Sequence, residues 1–176
     1  MAMSSDPGRR PIYLNLRMRP PWVFVDEIRR FAESFCACAC PGESREAQVA
    51  LAVHELMQNA IPASGGQDVD LTLQVDPVAD RIEIAVSNPC SDEQYLELQQ
   101  RIQRMNEEPD ALRSYLKAMS EAPSKVRGGL GLARIRFEAQ LELAVNREGR
   151  RVTVLAWGKL NAPAIKVGGG THVERR

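Results

Sequence analysis

Two groups of residues in this 176-residue chain have types and spacing suited to chemistry. In HELMQNA, Glu55 and Asn59 stand four positions apart, so on a helix their side chains share one face, one turn apart. An amide oxygen suits Mg2+ and a carboxylate can orient or deprotonate an attacking hydroxyl, so the pair could hold a metal-bound nucleotide. The same two residues also suit a solvated helix face. The second group is Gly128-Gly129-Leu130-Gly131-Leu132, with Lys125 and Arg127 just upstream. Glycines let backbone amides approach phosphate oxygens, a following helix N-terminus adds positive potential, and the two cations can add charge-assisted bonds. A tight helix packing contact would ask for glycine there as well.

Other reactive side chains carry weaker patterns. Cys36, Cys38 and Cys40 lie in CACAC, where a spacing of two turns alternate thiols about 200° apart on a helix, so buried or helix-end cysteines are expected rather than a metal set. His54 neighbours Glu55 in sequence but points about 100° away, as an ordinary helix histidine would. Trp22 and Trp157 read as packing residues.

These groups need elements to position them. Ile12, Leu14, Leu16 and Met18 alternate with polar residues as in a half-buried strand, which Pro20 and Pro21 end. Val25, Ile28, Phe31, Ala32 and Phe35 have helical spacing, closed by Pro41-Gly42. Ser44 can cap a second helix over about 45–60, which carries Glu55 and Asn59 and stops at the Pro62 to Gly66 stretch. VDLTLQV and RIEIAVS alternate strictly around the turn DPVAD and should pair antiparallel. Residues 92–119 read as charged helix broken at Pro109, and LARIRFEA as a short helix after the glycines. LELAVN and RVTVLAW around REGR form a last hairpin.

The pattern predicts an α/β two-layer sandwich, a mixed and mostly antiparallel sheet of about five strands with helices on one face. Residues 1–11 read as a leader, 12–160 as a single domain with a helical lid-like insertion at 92–127, and 161–176 as a tail. With 23 basic and 23 acidic residues the net charge is zero, which gives no general attraction to nucleic acid or to a membrane surface. No run of about 18 apolar residues is present and the start lacks a secretory pattern, so a cytoplasmic protein with reduced thiols is expected. A dinucleotide site of the Rossmann type fits poorly, because its glycine loop follows the first strand and this one comes late.

In their order, about 70 residues apart with two strands between them, HELMQNA and RGGLGL resemble the GHKL ATPase superfamily over 12–159. Its members share an ExxxN helix and a GxGLGL loop opening a helix; Arg127 stands where the first glycine of the histidine-kinase version would be. The leading strand and WVFVDEIRRFAESF are similar to serine-kinase anti-sigma factors, and the helical stretch before GLGL looks similar to the SiaB-type protein kinases. The resemblance implies Mg2+ and ATP, and an ATP-dependent Ser/Thr kinase or anti-sigma-type regulator acting in bacterial partner switching. Its partner would be a small antagonist or sigma-factor-like protein, with a homodimer as a possible assembly. It further implies Glu55 as base, Asn59 on Mg2+, Lys125, Arg127 and Gly128 to Leu132 on the phosphates, and Asn88 and Thr153 near the adenine.

The chain departs from the superfamily at its middle box, DxGxG, where it has Ser87-Asn88-Pro89-Cys90-Ser91. A neutral acceptor contributes about 1 kcal/mol where a charged one gives roughly 1.5–3, a weakening of about 2- to 30-fold, and no glycine makes room for the base. The alternative is a pseudoenzyme that keeps the fold as a docking module.

Overall fold

The computed structural model describes residues 10–19, 21–40, 45–121 and 129–162. Strict alternation in the strands decides which side of the sheet is dry. In β2 (Val69–Asp76) and β3 (Arg81–Pro89), Leu71, Leu73 and Val75 lie in register with Val86, Ile84 and Ile82, and with Val69 they form one buried face. β5 (Arg151–Lys159) adds Val152, Val154 and Ala156, and β4 (Glu142–Glu148) adds Leu143. β1 (Ile12–Met18) completes the order β1-β2-β3-β5-β4. All four pairings are antiparallel, so the sheet is wholly rather than mostly antiparallel. On the opposite, open face Asp70 accepts hydrogen bonds from Arg17 Nε at 2.6 Å and Arg151 Nη2 at 2.5 Å.

The helices cover the apolar face, giving the two-layer sandwich that the periodicity predicts. α1 (Val25–Ala39) follows a short 3-10 turn at Trp22–Phe24 and buries Val25, Ile28, Ala32 and Cys36. α2 (Glu46–Ala63) buries Val49, Val53, Leu56, Met57 and Ala60 among others. It passes through Pro62 and stops at Ala63 with Ser64 as its C-cap, within the Pro62 to Gly66 stretch as expected. The chain turns at Gly65 and Gly66, whose φ of +60° and +80° suit glycine. Ser44, the expected cap, lies outside the described residues, and Arg45 holds the cap position without a side-chain cap bond.

The charged segment forms α3 (Asp92–Glu107) and α4 (Ala111–Glu121), broken around Pro109 as expected. It is more than a solvated cover, since Ile102 and Met105 are buried and Asn106 Nδ2 donates to the Leu143 carbonyl at 3.0 Å. α5 (Gly129–Phe137) is buried through Leu132, Ala133 and Ile135. Its Arg136 donates through Nη1 to the Met105 and Glu108 carbonyls, which satisfies acceptors at the end of α3.

The cysteines at the end of α1 differ sharply in exposure. Cys38 is exposed, whereas Cys36 is buried and its thiol is pushed up to about 11 by desolvation. Cys38 should therefore react promptly with a thiol reagent in the native protein, and Cys36 only on unfolding. A thiol that keeps its proton to about pH 11 when folded, against 9.0 ordinarily, contributes stability that is complete below pH 9 and lost as pH rises towards 11. Denaturant midpoints across that window should fall more steeply in wild type than in Cys36→Ala.

Candidate functional site

Two amides from different elements meet at one cavity. Asn59 stands in the last part of α2 and Asn88 near the end of β3, and both line a space of about 160 Å³ floored by Leu56, Leu132 and Val154. Asn88 reaches it because parity places residues 82, 84, 86 and 88 on the helix-covered face. It is 4% exposed, and its Nδ2 donates to the Pro89 carbonyl at 2.8 Å. That bond leaves Oδ1, with no donor among the described residues, as the free acceptor. Asn59 Nδ2 is buried without a partner. An unsatisfied buried amide costs about 1–3 kcal/mol, a deficit that a ligand can relieve.

The mouth of the cavity is set by the start of α3. Ser91 Oγ accepts from Gln94 N at 3.2 Å while Gln94 Oε1 accepts from Ser91 N at 2.8 Å, a reciprocal cap that begins the helix three residues after Asn88. Gln94, Glu97 and Arg101 thereby line the cavity. Arg101 Nη2 donates to Glu97 Oε1 at 2.6 Å and its side chain is 20% exposed. Arg101 is a site residue that sequence reasoning missed. Its signal, a Glu97/Arg101 pair at helical spacing, looks the same on any solvated helix.

Glu55 is placed elsewhere. It is 7% exposed and its Oε1 accepts from Arg134 Nη1 of α5, whose Nε also donates to Glu138 Oε1 at 3.0 Å. Glu138 first, and the Glu55 charge beyond it, hold Arg134 above its ordinary pKa against the opposing effect of burial. So Glu55 and Asn59 share a helix, but Asn59 faces the cavity and Glu55 faces α5, clasped to a cation.

The glycine run also differs from the expected loop. Lys125, Arg127 and Gly128 lie outside the described residues, but Gly129, Leu130, Gly131 and Leu132 are already the first turn of α5. A Cβ on Gly131 would collide with Glu55 Oε2 and stand 3.3 Å from Glu55 Cδ. The absence of a side chain at Gly131 leaves room for the Glu55 carboxylate against α5, and Leu132 turns into the core and the cavity wall.

Thr153 is not at the cavity. It pairs with Ser87 and Asn146 on the open face of the sheet, while its neighbours Val152 and Val154 line the cavity. Successive strand residues point to opposite faces, so the expected contact with a base in the cavity is excluded by one position. Trp157 is half-buried on the same open face, opposite Glu83 and Glu142; the side chain of Trp22 lies outside the described set. His54 behaves as a helix histidine, its Nε2 sharing a 2.8 Å hydrogen bond with Gln58 Nε2.

The fold and site define a two-layer α/β protein with a small polar-lipped cavity between helices and sheet. No protein-family model matches the sequence, and no curated protein does. Among solved structures, the chain is similar to one from the crystal structure of the SiaB–SiaC complex from Pseudomonas aeruginosa, with a TM-score of 0.66. Identity is 15%, over 85% of this chain and 90% of that one, so the likeness is one of fold.

Gly131→Ala should test the clasp. The added methyl must displace Glu55 from Arg134, lowering stability by about 1–3 kcal/mol. In the double variant with Glu55→Ala the two losses should fall short of additive by at least about 0.5 kcal/mol, measured by denaturant unfolding. Strict additivity would show that the two residues do not press on each other.

Proposed function

We propose that this chain is a partner-switching regulator that binds an adenine nucleotide in the Asn59/Asn88 cavity and acts on a small partner protein. The carrying observation is the amide arrangement: Asn88 has its nitrogen tied to Pro89, so its oxygen presents an acceptor as a carboxylate would. That acceptor suits an exocyclic amino group such as adenine's and opposes a carbonyl in its place. Asn59 offers an amide at the other side, suited to a Mg2+-bound phosphate. Arg101, paired with Glu97, places guanidinium donors at the cavity wall. The partner protein is supported by the fold's likeness to a chain of a two-protein complex.

At about 160 Å³ the cavity lies below the roughly 300 Å³ at which small-molecule sites usually begin. One ring system fits inside and the phosphate tail would leave the cavity past Asn59, so weak affinity is expected. Mg2+-ATP bound there would supply a phosphoryl group for a Ser or Thr hydroxyl of the partner. Glu55 could take the hydroxyl proton only once Arg134 releases it, and this clasp favours a second reading, a docking module that binds nucleotide without transfer.

Calorimetric titration with Mg2+-ATP should show weak binding to wild type, binding tightened about 2- to 30-fold in Asn88→Asp, and loss of binding in Asn59→Ala. No heat from any of the three up to millimolar nucleotide would sink the nucleotide reading. With the partner protein present, radiolabel transfer abolished by Glu55→Gln at unchanged nucleotide affinity identifies a kinase. Binding of nucleotide and partner without transfer identifies the docking module.

A further inference from the structure

We propose that the groove among α1, α2, α4 and the end of α5 is a second ligand site, one that takes a small organic amine: an ammonium group on a short apolar or aromatic body. The groove has a volume of about 620 Å³, within the roughly 300–1,000 Å³ usual for small-molecule sites. It shares no lining residue with the Asn59/Asn88 cavity, so its ligand can be sought with that cavity empty.

The lining gives the ligand its body. Tyr115 of α4 and Phe137 of α5 stack with ring centroids 5.2 Å apart and planes 20° from parallel, which makes one part of the wall aromatic. Ala47 and Leu51 of α2 make another part aliphatic. An apolar or aromatic group is covered by such surfaces, and a cation within about 6 Å of a ring centroid is drawn to the negative face of the ring.

The clasp gives the ligand its charge. Glu138, at the groove, and Glu55, beyond it, share the single guanidinium of Arg134. Glu138 Oε1 accepts from Arg134 Nε at 3.0 Å and Oε2 from Nη2 at 3.3 Å, while Glu55 takes Nη1. Two carboxylates against one cation leave one negative charge, and among the described residues no second cation pairs with either. Arg29 lines the groove too, but it is paired with Glu33, to which its Nη1 donates at 3.3 Å. The Tyr115 hydroxyl registers this field: burial first, then the charge and hydrogen bond of Glu138, hold it above the ordinary phenol range, with Arg134 opposing. Glu138 keeps 32% of its side chain exposed, so an ammonium can reach its carboxylate and bond to it with charge assistance, where an anion meets repulsion. Because Glu138 also holds Arg134, an occupant of the groove reaches the Glu55 clasp through one guanidinium.

Benzylamine is the probe, titrated at neutral pH into the full chain without nucleotide and followed by proton–nitrogen correlation spectra. It should shift the amides of Leu51, Tyr115 and Glu138 with millimolar affinity. Benzyl alcohol, uncharged and nearly the same shape, should bind at least about fivefold more weakly, and phenylacetate should not bind. Glu138→Gln should bring benzylamine down to the affinity of benzyl alcohol. Ala47→Trp, which fills the groove from an exposed helix position, should abolish binding of both with unchanged circular dichroism. Equal affinity for the amine and the alcohol overturns the proposal, as do unchanged benzylamine affinity in Glu138→Gln, shifts that survive Ala47→Trp, or no shift at tens of millimolar amine.

Discussion

The close approach of α2 to α5 fixes most of the rest. At Gly131 no side chain intervenes, so Glu55 packs directly on the first turn of α5 and is held there by Arg134. That contact brings Leu132 beside Leu56, and the two floor the cavity that Asn59 and Asn88 face. α5 in turn fastens α3 through Arg136, and α3 carries the cavity's Gln94 and Arg101. A helix pair drawn together at one glycine thus determines the shape of a site built from five elements.

The clasp also sets the chemical character of the molecule. The Glu55 carboxylate is committed to the Arg134 guanidinium by a charge-assisted bond in a nearly buried place. The two groups of α2 are consequently turned to different surroundings: Asn59 faces the cavity with Asn88, while Glu55 meets Arg134 of α5.

Much of the fold was legible because it depends on periodicity. The strands of β2, β3 and β5 alternate so strictly that their buried face could be read directly, and the Pro109 break between α3 and α4 was equally plain. The site was legible in part. Glu55 and Asn59 do share a helix, but spacing alone could not show that α5 takes one and the cavity the other. The glycine run suggested a phosphate loop because packing and phosphate binding ask for the same residue type. Thr153 was misplaced by parity: one residue along β5 separates the two faces. Arg101 was hidden because the cavity exists only when α3 folds back over β3.

That parity has a consequence for how the chain can change length. β5 lies between β3 and β4, so its register is held from both sides and its odd and even residues are committed to different surroundings. An insertion of one residue at its start would exchange the surfaces beyond it, sending Val152, Val154 and Ala156 to the open face and Thr153, Leu155 and Trp157 among the helices. The same insertion in the turn at Gly149, where β4 meets β5, disturbs no buried side chain. Indels should therefore gather at the hairpin tips, while the body of β5 varies by substitution alone.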